Sequence, residues 1–280
     1  MGWSGVLTAN SAEGTAITLV SDTSNVGEYT VSKFTSPKKA IYKFELFGSG
    51  GAAHLESDHD WSASVSPGGS GGHTIGYLLL EAGDVVYVGV GGMCSAAFVS
   101  KINVSKLSDA GSGVNLWFVA GGGGEGGANW GQQWNMKSSA GGAGGGTTGG
   151  QGGGGSPGTQ IGGYAFGTGG GGGYSNENDT SFLAGRGGDG YYGGTGGTGF
   201  NGGSGGSGFI STSSLIVGNK IYTNSTEIGG GAASRANGYA IVTYYAKAEL
   251  PITYNNQIVM ELYYNNQEVK SLYYNGTKIY

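Results

Sequence analysis

The sequence is poor in cysteine, proline and charge, and each shortage excludes a class of structure. Its 280 residues include one cysteine, Cys94, so neither an internal disulfide nor a cysteine-based metal site is expected. Four prolines are too few for a collagen triple helix, which needs abundant proline beside one glycine per triplet. Charged residues make up 11%, well below the roughly 25% of an ordinary soluble domain. The fold must therefore be stable without covalent cross-links.

Charge and hydropathy patterning exclude further partners and locations. The formal net charge of −5 provides no basic surface for nucleic acid or for an anionic membrane. No stretch approaches the roughly 18 apolar residues of a membrane span, so we expect no membrane insertion. Residues 1–6 lack the basic and apolar regions of a signal peptide. If the protein acts outside cells, we expect it to leave by lysis or within a particle.

Strand patterns are common in the sequence, whereas helical periodicity is nearly absent. In Ala40–Phe47, apolar Tyr42, Phe44 and Leu46 alternate with charged residues, which predicts a strand with one buried face. The whole pattern predicts an all-β protein, an antiparallel sandwich interrupted by a glycine-rich insertion. Further strands are predicted at Thr15–Val20, Ile75–Leu80, Val85–Val90, Val114–Val119 and Tyr239–Tyr245, and the predicted core comprises Tyr42, Phe44, Leu46, Ile75, Val86, Val88, Leu116, Phe118 and Ile241.

Glycine dominates the middle of the chain, since residues 121–208 hold 41 of its 65 glycines. Glycine loses more backbone entropy on ordering than any other residue, so this density in a folded region needs a geometric reason. Polyproline-II helices have three residues per turn and can hydrogen-bond side by side only where no Cβ lies between them. Triplets such as Gly-Gly-Thr-Gly-Gly-Thr at 193–198 fit that geometry. They predict a bundle of polyglycine-II helices at about 121–208.

A flexible linker or a disordered low-complexity tract is the alternative interpretation of these glycines. Two features favour an ordered bundle: strand-like segments flank the tract on both sides, and large apolar residues punctuate it. Those apolar residues are Trp130, Trp134, Ile161, Phe166, Phe182, Leu183, Tyr191, Tyr192, Phe200, Phe209 and Ile210.

The C-terminal segment repeats with a ten-residue period, in which Tyr-Asn-Asn or Tyr-Asn-Gly recurs at 254, 264 and 274. Because Asn and Gly tolerate positive φ, each unit is predicted to supply one strand and one turn of a thin β-meander. Leu250 and Pro251 mark a boundary. We therefore divide the chain into an N-terminal strand or attachment segment (1–27), the sandwich with its insertion (28–247) and the repeats (248–280).

The order of the motifs resembles a known domain family. The motifs are Glu28–Phe34, Lys39–Gly51, Gly68–His73, Val88–Gly92, Leu116–Gly124, Gly205–Ile210 and Asn237–Thr243. Their order resembles the glycine-rich domain of the anaplastic lymphoma kinase and leukocyte tyrosine kinase receptors, which also occurs in bacterial and phage proteins. The resemblance covers roughly residues 28–245 and implies a TNF-like jelly-roll sandwich that carries polyglycine-II helices. The receptors' disulfides, membrane span and kinase have no counterpart in this sequence, so the receptor function does not carry over.

Two further resemblances imply a virion protein. The Tyr-Asn-Gly-Thr repeat is similar to repeats in tail-associated proteins from phages and prophages of gut Firmicutes. Polyglycine-II bundles resemble the tip adhesins of some tailed phages, in which loops between the helices contact the host receptor. By this analogy the chain is expected to be an adhesin.

Four breaks in the glycine pattern or at its border, residues 54–66, 129–139, 156–166 and 174–183, are candidate receptor-binding loops. Aromatic faces beside amide side chains suit sugar rings or protein loops. The alternative is that the tryptophans only cap the open end of the bundle. The candidate contact residues are Trp61, Trp130, Gln132, Gln133, Trp134, Asn135, Gln160, Tyr164, Phe166, Asn176 and Asn178.

Residues 54–60 concentrate two histidines and three carboxylates, which are ordinary metal ligands. No His-x-x-x-His pair or EF-hand pattern fixes a geometry there, so a solvated polar loop is the favoured interpretation over a metal site at His54, Asp58, His59 and Asp60. The sequence contains neither a P-loop nor a nucleophile elbow. We therefore expect no enzymatic activity and no cofactor.

These patterns predict a non-enzymatic tail fibre or tip protein of a phage or prophage-derived particle, located in the virion or outside cells. Its expected partners are a host-cell surface glycan or protein and other virion tail proteins, and homo-oligomerisation is left open. A bacterial extracellular surface or matrix protein is the alternative. Ice binding through Thr195 and Thr198 is a third hypothesis, although two threonines make a small face.

Overall fold

The computed structural model describes residues 2–53, 64–129, 138–177, 180–213, 216–224 and 237–247, with short strand pairs between 253 and 278. These residues are mostly β, with 3-10 helices at Leu107–Ala110 and Gly113–Asn115, which confirms the all-β class. The strands are β1 (Ala16–Val20), β2 (Tyr29–Thr35), β3 (Ala40–Phe47), β4 (Ser64–Val65), β5 (Gly72–Leu80), β6 (Val85–Gly91), β7 (Ala97–Ser100), β8 (Leu116–Ala120), β9 (Ala128–Asn129), β10 (Tyr174–Glu177), β11 (Thr180–Leu183), β12 (Phe209–Ile210), β13 (Ile216–Asn224), β14 (Tyr239–Lys247), β15 (Thr253–Tyr254), β16 (Gln257–Ile258), β17 (Tyr263–Tyr264), β18 (Gln267–Glu268), β19 (Tyr273–Tyr274) and β20 (Thr277–Lys278).

Two five-stranded antiparallel sheets face each other. The front sheet has the order β1-β14-β3-β5-β13, and the back sheet has the order β12-β8-β7-β6-β2. One hydrophobic cluster fills the space between them, and the rings of Phe44 and Phe118 lie 6.0 Å apart across it. The alternation predicted for β3 is confirmed, because Tyr42, Phe44 and Leu46 are fully buried. Lys43 and Glu45 form an ion pair at 2.7 Å on the opposite face.

Three residues predicted for this core lie elsewhere. Ile75 and Ile241 are half-buried on the outer face of the front sheet, because the neighbouring Thr74 and Val242 point inward. Leu116 is buried in a separate cluster. Side chains along a strand alternate between the two faces, so an apolar residue in a strand can belong to either face. Hydrophobicity alone did not identify the inward set.

A second hydrophobic cluster covers the outer face of the back sheet. Fully buried Phe98 and Val119 pack there with Leu107 of the first 3-10 helix. The partly buried Tyr191 and Phe209 extend this cluster, with their rings stacked at 4.2 Å. Both broad faces of the back sheet are therefore covered by other parts of the chain.

The predicted strands at 15–20, 75–80, 85–90 and 239–245 are confirmed within a few residues at each end. The strand predicted at Val114–Val119 begins later, at Leu116, because Gly113–Asn115 forms a 3-10 turn. Near the N-terminus, Ser4 forms a bridge to Thr18 of β1, and the Trp3 indole donates to the Lys33 carbonyl of β2 at 3.0 Å. The N-terminal segment thus connects the edges of the two sheets.

Glycine-rich segments outside the strands and 3-10 helices connect many of these strands. We call residues 48–52, 66–71, 121–127, 139–158, 167–173 and 184–208 the glycine array. Its backbone hydrogen bonds run sideways between segments. In the segment 121–127, the amides of Gly122, Gly123 and Gly124 donate in turn to three different segments, at 2.7, 3.0 and 2.8 Å. The amides of residues 125, 126 and 127 donate to the same three segments in the same order, so the pattern repeats every three residues.

Close backbone approach explains most of the glycines inside the array. A Cβ built at Gly121 or Gly124 would come well within 3.0 Å of the carbonyl oxygen of Gly206 or Gly203. Real Cβ atoms essentially never come that close to another atom. Any side chain at these positions would push the neighbouring segment away and weaken its hydrogen bonds.

The C-terminal repeats form three separate two-stranded sheets, so the predicted meander, with one strand per unit, is wrong. β15 pairs with β16, β17 with β18, and β19 with β20. The register places Tyr254 opposite Gln257, which leaves two residues between the paired strands, and the other two pairs repeat this spacing. A two-residue connection closes locally at little entropic cost, so each turn signal pairs the strands on its own two sides.

Candidate functional site

A small four-stranded sheet lies apart from the sandwich, in the order β10-β11-β9-β4. β9 is one of its two inner strands, and β11 is the other. Asn129 of β9 pairs with Ser64 on one side and Phe182 on the other, and Ala128 pairs with Val65 and Leu183. We call it the small sheet. Strands from three distant parts of the sequence are thereby held in fixed register.

The glycine array separates the small sheet from the sandwich. Segment 121–127 follows β8 directly and leads directly into β9. At its first residue, the Gly121 carbonyl accepts a hydrogen bond from Gly72 of β5 at 2.8 Å. At its last residue, the Gly127 carbonyl accepts one from Ser66, just after β4, at 3.2 Å. The front sheet of the sandwich and the small sheet therefore lie at opposite ends of segment 121–127.

Three of the four predicted loops begin or end at the small sheet. Residues 54–63 precede β4, residues 130–137 follow β9, and residues 178–179 connect β10 to β11. Asn176 lies in β10, where its backbone is opposite Ser181. The other candidates on these loops, Trp61, Trp130, Gln132, Gln133, Trp134, Asn135 and Asn178, and the metal candidates His54, Asp58, His59 and Asp60, lie outside the described residues.

The fourth predicted loop, 156–166, lies near the sandwich instead. The Gln160 side-chain amide donates to a backbone carbonyl at 3.0 Å. The Phe166 ring packs edge-on against Tyr191 at 5.5 Å and belongs to the cluster on the back sheet. Tyr164 is 57% exposed. Of these three candidates, Gln160 and Phe166 are thus engaged in contacts within the chain, and Tyr164 is exposed.

A buried carboxylate joins the array to the sandwich. Asp189 is only 2% exposed. One of its oxygens accepts a hydrogen bond from the hydroxyl of Tyr29 in β2, and the other accepts one from the Gly169 amide, both at 2.8 Å. Burial raises the pKa of Asp189, while these two bonds and the nearby charge of Arg186 oppose the rise. Burial and the Asp189 charge raise the pKa of Tyr29 well above its ordinary value.

No motif in the sequence indicates a role for Asp189. A signal was nevertheless present, because Asp189 is the one acidic residue in the glycine-rich run 184–208. A buried carboxylate is costly unless hydrogen bonds compensate its lost hydration. Its long-range partner Tyr29 lies 160 positions away, and no local pattern connects the two.

Two other polar groups within the array have structural contacts. Glu125 and Arg186 bond reciprocally: the Arg186 amide donates to the Glu125 carboxylate at 3.1 Å, and the Glu125 amide donates to the Arg186 carbonyl at 2.8 Å.

Cys94 is fully buried, and burial raises the pKa of its thiol well above the ordinary value. A thiol held in its protonated form is a poor nucleophile.

Within the described ranges, no three His, Cys, Asp or Glu side chains are grouped so that they could hold a metal ion. None of the helices in this part of the chain has the length and hydropathy needed to cross a membrane. No protein-family model matches the chain, and no curated protein matches it at a significant level of sequence similarity. The resemblance drawn from the order of the glycine motifs therefore stays a prediction.

Proposed function

We propose that this protein is a non-enzymatic tail fibre or tip protein of a phage or a prophage-derived particle. In this proposal the loops at the small sheet bind a glycan or protein on the host-cell surface. The sandwich serves as the base, the glycine array serves as a stiff spacer, and other virion tail proteins hold the molecule in the particle. It works in the virion or outside cells, without a cofactor, nucleic acid or membrane insertion.

The three-residue repeat of lateral hydrogen bonds supports the assignment of the array as polyglycine-II helices. Three residues per turn point successive amides toward three different neighbours, and the fourth amide returns to the first direction. Residues 122–127 follow this rule, and the amides of Gly185, Gly188 and Tyr191 donate at the same interval to residues 201, 204 and 207. The assignment predicts slow amide hydrogen exchange at these residues, and exchange as fast as in a free peptide would exclude it.

The arrangement of the two large sheets supports a TNF-like jelly roll. Both sheets are antiparallel, both have five strands, and one hydrophobic cluster lies between them. Consecutive strands repeatedly cross from one sheet to the other, as they do from β2 to β3 and from β5 to β6. Such crossings are characteristic of double-sheet jelly rolls.

The pairing of β4, β9 and β11 is the observation that carries the binding proposal. It gathers three loops at one sheet, although the first and the last of them lie more than 100 residues apart in the sequence. Loops anchored on a rigid scaffold commonly carry recognition, since less conformational entropy is lost on binding. Their tryptophans and amides suit a glycan, because aromatic rings supply contact area and amides supply directed hydrogen bonds.

Binding of the fluorescently labelled protein to candidate host cells tests the proposal. We expect Trp61→Ala, Trp130→Ala and Trp134→Ala, combined in one variant, to weaken binding at least about tenfold, as loss of an interface hot spot does. Val114→Ala is the control, because it removes an exposed apolar side chain outside all four candidate loops and should leave binding unchanged. Full binding by the triple variant, with its melting temperature unchanged, would refute the loop assignment.

Labelled protein in electron micrographs provides a second test. Label at the end of a virion tail would support the proposal. Label confined to the wall or matrix of bacterial cells would replace it with the extracellular surface or matrix role.

A further inference from the structure

The outer face of the front sheet is apolar across at least three neighbouring strands. β3 places Ile41 on this face, β5 contributes Ile75, Tyr77 and Leu79, and β14 contributes Ile241 and Tyr245. Most of these side chains are half-buried, and Tyr245 is 42% exposed. Tyr77 and Tyr245 pack edge-on at 4.9 Å. The result is a largely apolar face that is interrupted at its centre by Lys43, Glu45 and Thr243.

The two sheets differ in what covers their outer faces. The back sheet is covered by the second hydrophobic cluster, in which Phe98, Leu116 and Val119 are fully buried. None of the six outer residues of the front sheet belongs to a hydrophobic cluster of the described residues. Antiparallel sheets with one uncovered face normally place polar residues there. A contiguous exposed apolar patch of several hundred Å² usually marks an interaction surface.

Charge on this face indicates what kind of partner it fits. Lys43 and Glu45 lie on the central strand β3, and their side chains pair at 2.7 Å. Lys43 is flanked by Tyr77 and Thr243 on the adjacent strands, and Glu45 by Ile75 and Ile241. A partner of one charge sign would gain from one of these two groups and be repelled by the other. A second copy, rotated by a half-turn, would place each lysine beside the other copy's glutamate.

The size of the face suits such a pairing. The whole sheet of five strands, about 4.8 Å apart and about seven residues long at about 3.4 Å per residue, spans roughly 24 by 24 Å, and the three strands with the apolar residues make up roughly three-fifths of it. With side-chain relief the whole sheet approaches the roughly 800 Å² per partner of a standard interface. Sheets of this kind pack face to face about 10 Å apart with their strands about 30° from parallel.

We propose that two copies of this chain associate through the outer faces of their front sheets, about a two-fold axis near Lys43 and Glu45. In a two-fold interface the same patch meets itself, which a face with paired opposite charges permits. This inference does not depend on the receptor-binding proposal. Either can fail without affecting the other.

Sedimentation velocity of the full chain, from about 1 to 50 µM, tests the proposal. We expect a concentration-dependent dimer. Ile75→Lys should raise the dissociation constant at least tenfold, because it buries a charge in an apolar contact. Val114→Lys is the matched control, because Val114 is 75% exposed on the second 3-10 helix, away from this face. Unchanged thermal unfolding of each variant would show that the monomer remains folded.

Charge reversal tests the two-fold arrangement itself. Lys43→Glu alone gathers four carboxylates at the axis and should dissociate the dimer. Lys43→Glu combined with Glu45→Lys restores the opposite charges and should restore it. The proposal would be overturned if the wild type were a monomer at every concentration or formed a trimer. It would also be overturned if Val114→Lys weakened association as much as Ile75→Lys, or if the double variant failed to restore association.

Discussion

Side chains hold the sandwich together, whereas backbone hydrogen bonds hold the glycine array together. In the sandwich, large side chains such as Phe44 and Phe118 fill the space between two sheets, and the backbones stay apart. In the array, the absence of side chains at residues such as Gly121 and Gly124 lets backbones bond directly. The first region is stabilised mainly by apolar burial and the second mainly by hydrogen bonds. The sandwich and the glycine array should therefore tolerate different substitutions.

This difference has an energetic basis. A buried aromatic side chain contributes several kcal/mol by itself, whereas one backbone hydrogen bond contributes about 0.5–1.5 kcal/mol net. Glycine also loses the most conformational entropy when it is ordered. The array therefore needs many bonds acting together, and one misplaced Cβ affects several of them.

We expect the largest effect in the sandwich. Phe44→Ala should lower the free energy of unfolding by about 3–5 kcal/mol, because it leaves a cavity between the sheets. Urea denaturation measures this loss. Ile161→Ala, at a side chain that is 95% exposed, should change it by less than about 0.5 kcal/mol. Similar losses for the two variants would contradict the assignment of Phe44 to the core.

Gly124→Ala should break the array rather than the sandwich. We expect a loss of about 1–3 kcal/mol, because the new Cβ would meet the Gly203 carbonyl. Gly171→Ala is the matched control, since a Cβ there has nothing within 4 Å and φ is not positive. That control should change stability by at most about 1 kcal/mol, in either direction. If both variants unfold alike, close backbone approach is not what requires glycine at 124.

Tyr29→Phe sharpens the comparison at the junction of the two regions. The variant removes the hydroxyl that donates to Asp189 and should cost about 1–2 kcal/mol, because a buried carboxylate oxygen is left unpaired. Chemical denaturation provides the measurement. Tyr87→Phe, on the outer side of β6, loses no comparable bond and should be nearly neutral. Equal losses of stability for the two variants would argue against a stabilising hydrogen bond from Tyr29 of the sandwich to Asp189 of the array.

The smallest expected effect is a pH dependence at Asp189. Burial raises its pKa in the folded state, so the folded protein binds the proton more tightly than the unfolded chain does. Its contribution to stability should therefore fall as pH rises from about 4 through the raised pKa. Of the charged and titratable groups around it, Tyr29 donates to it directly, Arg186 opposes the rise, and Cys94 lies close by.

Denaturation of the wild type and of Asp189→Asn at a series of pH values isolates the pH-dependent contribution of Asp189 to stability. The free energy of unfolding of the wild type minus that of the variant should be larger at low pH than at neutral pH. An unchanged difference across that range would show that the pKa of Asp189 is not raised by folding.

Local pattern was enough to predict some elements and not others. The β3 strand and its buried face followed from the alternation of Tyr42, Phe44 and Leu46, since a strand needs no distant information to show its period. Ile75 and Ile241 were assigned to the core wrongly, because register across the sheet decides which face is inward. The three C-terminal hairpins were predicted as one meander, because a turn signal does not specify which strands it joins.

The candidate site divides in the same way. Loops rich in Trp and Asn were visible as breaks in the glycine pattern. Their grouping into three at the small sheet and one near the sandwich was not visible, because it depends on pairings such as Asn129 with Ser64 and Phe182. The bond between Tyr29 and Asp189 was equally hidden, since it joins residues 160 positions apart.

The sequence by itself determined the all-β class, the alternating strands and the need for backbones to approach closely where glycine is dense. Each of these depends on the conformational preferences of a few adjacent residues. Only the tertiary structure decided which isoleucines face outward, which loops share a sheet, and which tyrosine satisfies the buried aspartate. Those features depend on contacts between residues far apart in sequence, and many distant pairings are compatible with the same local preferences.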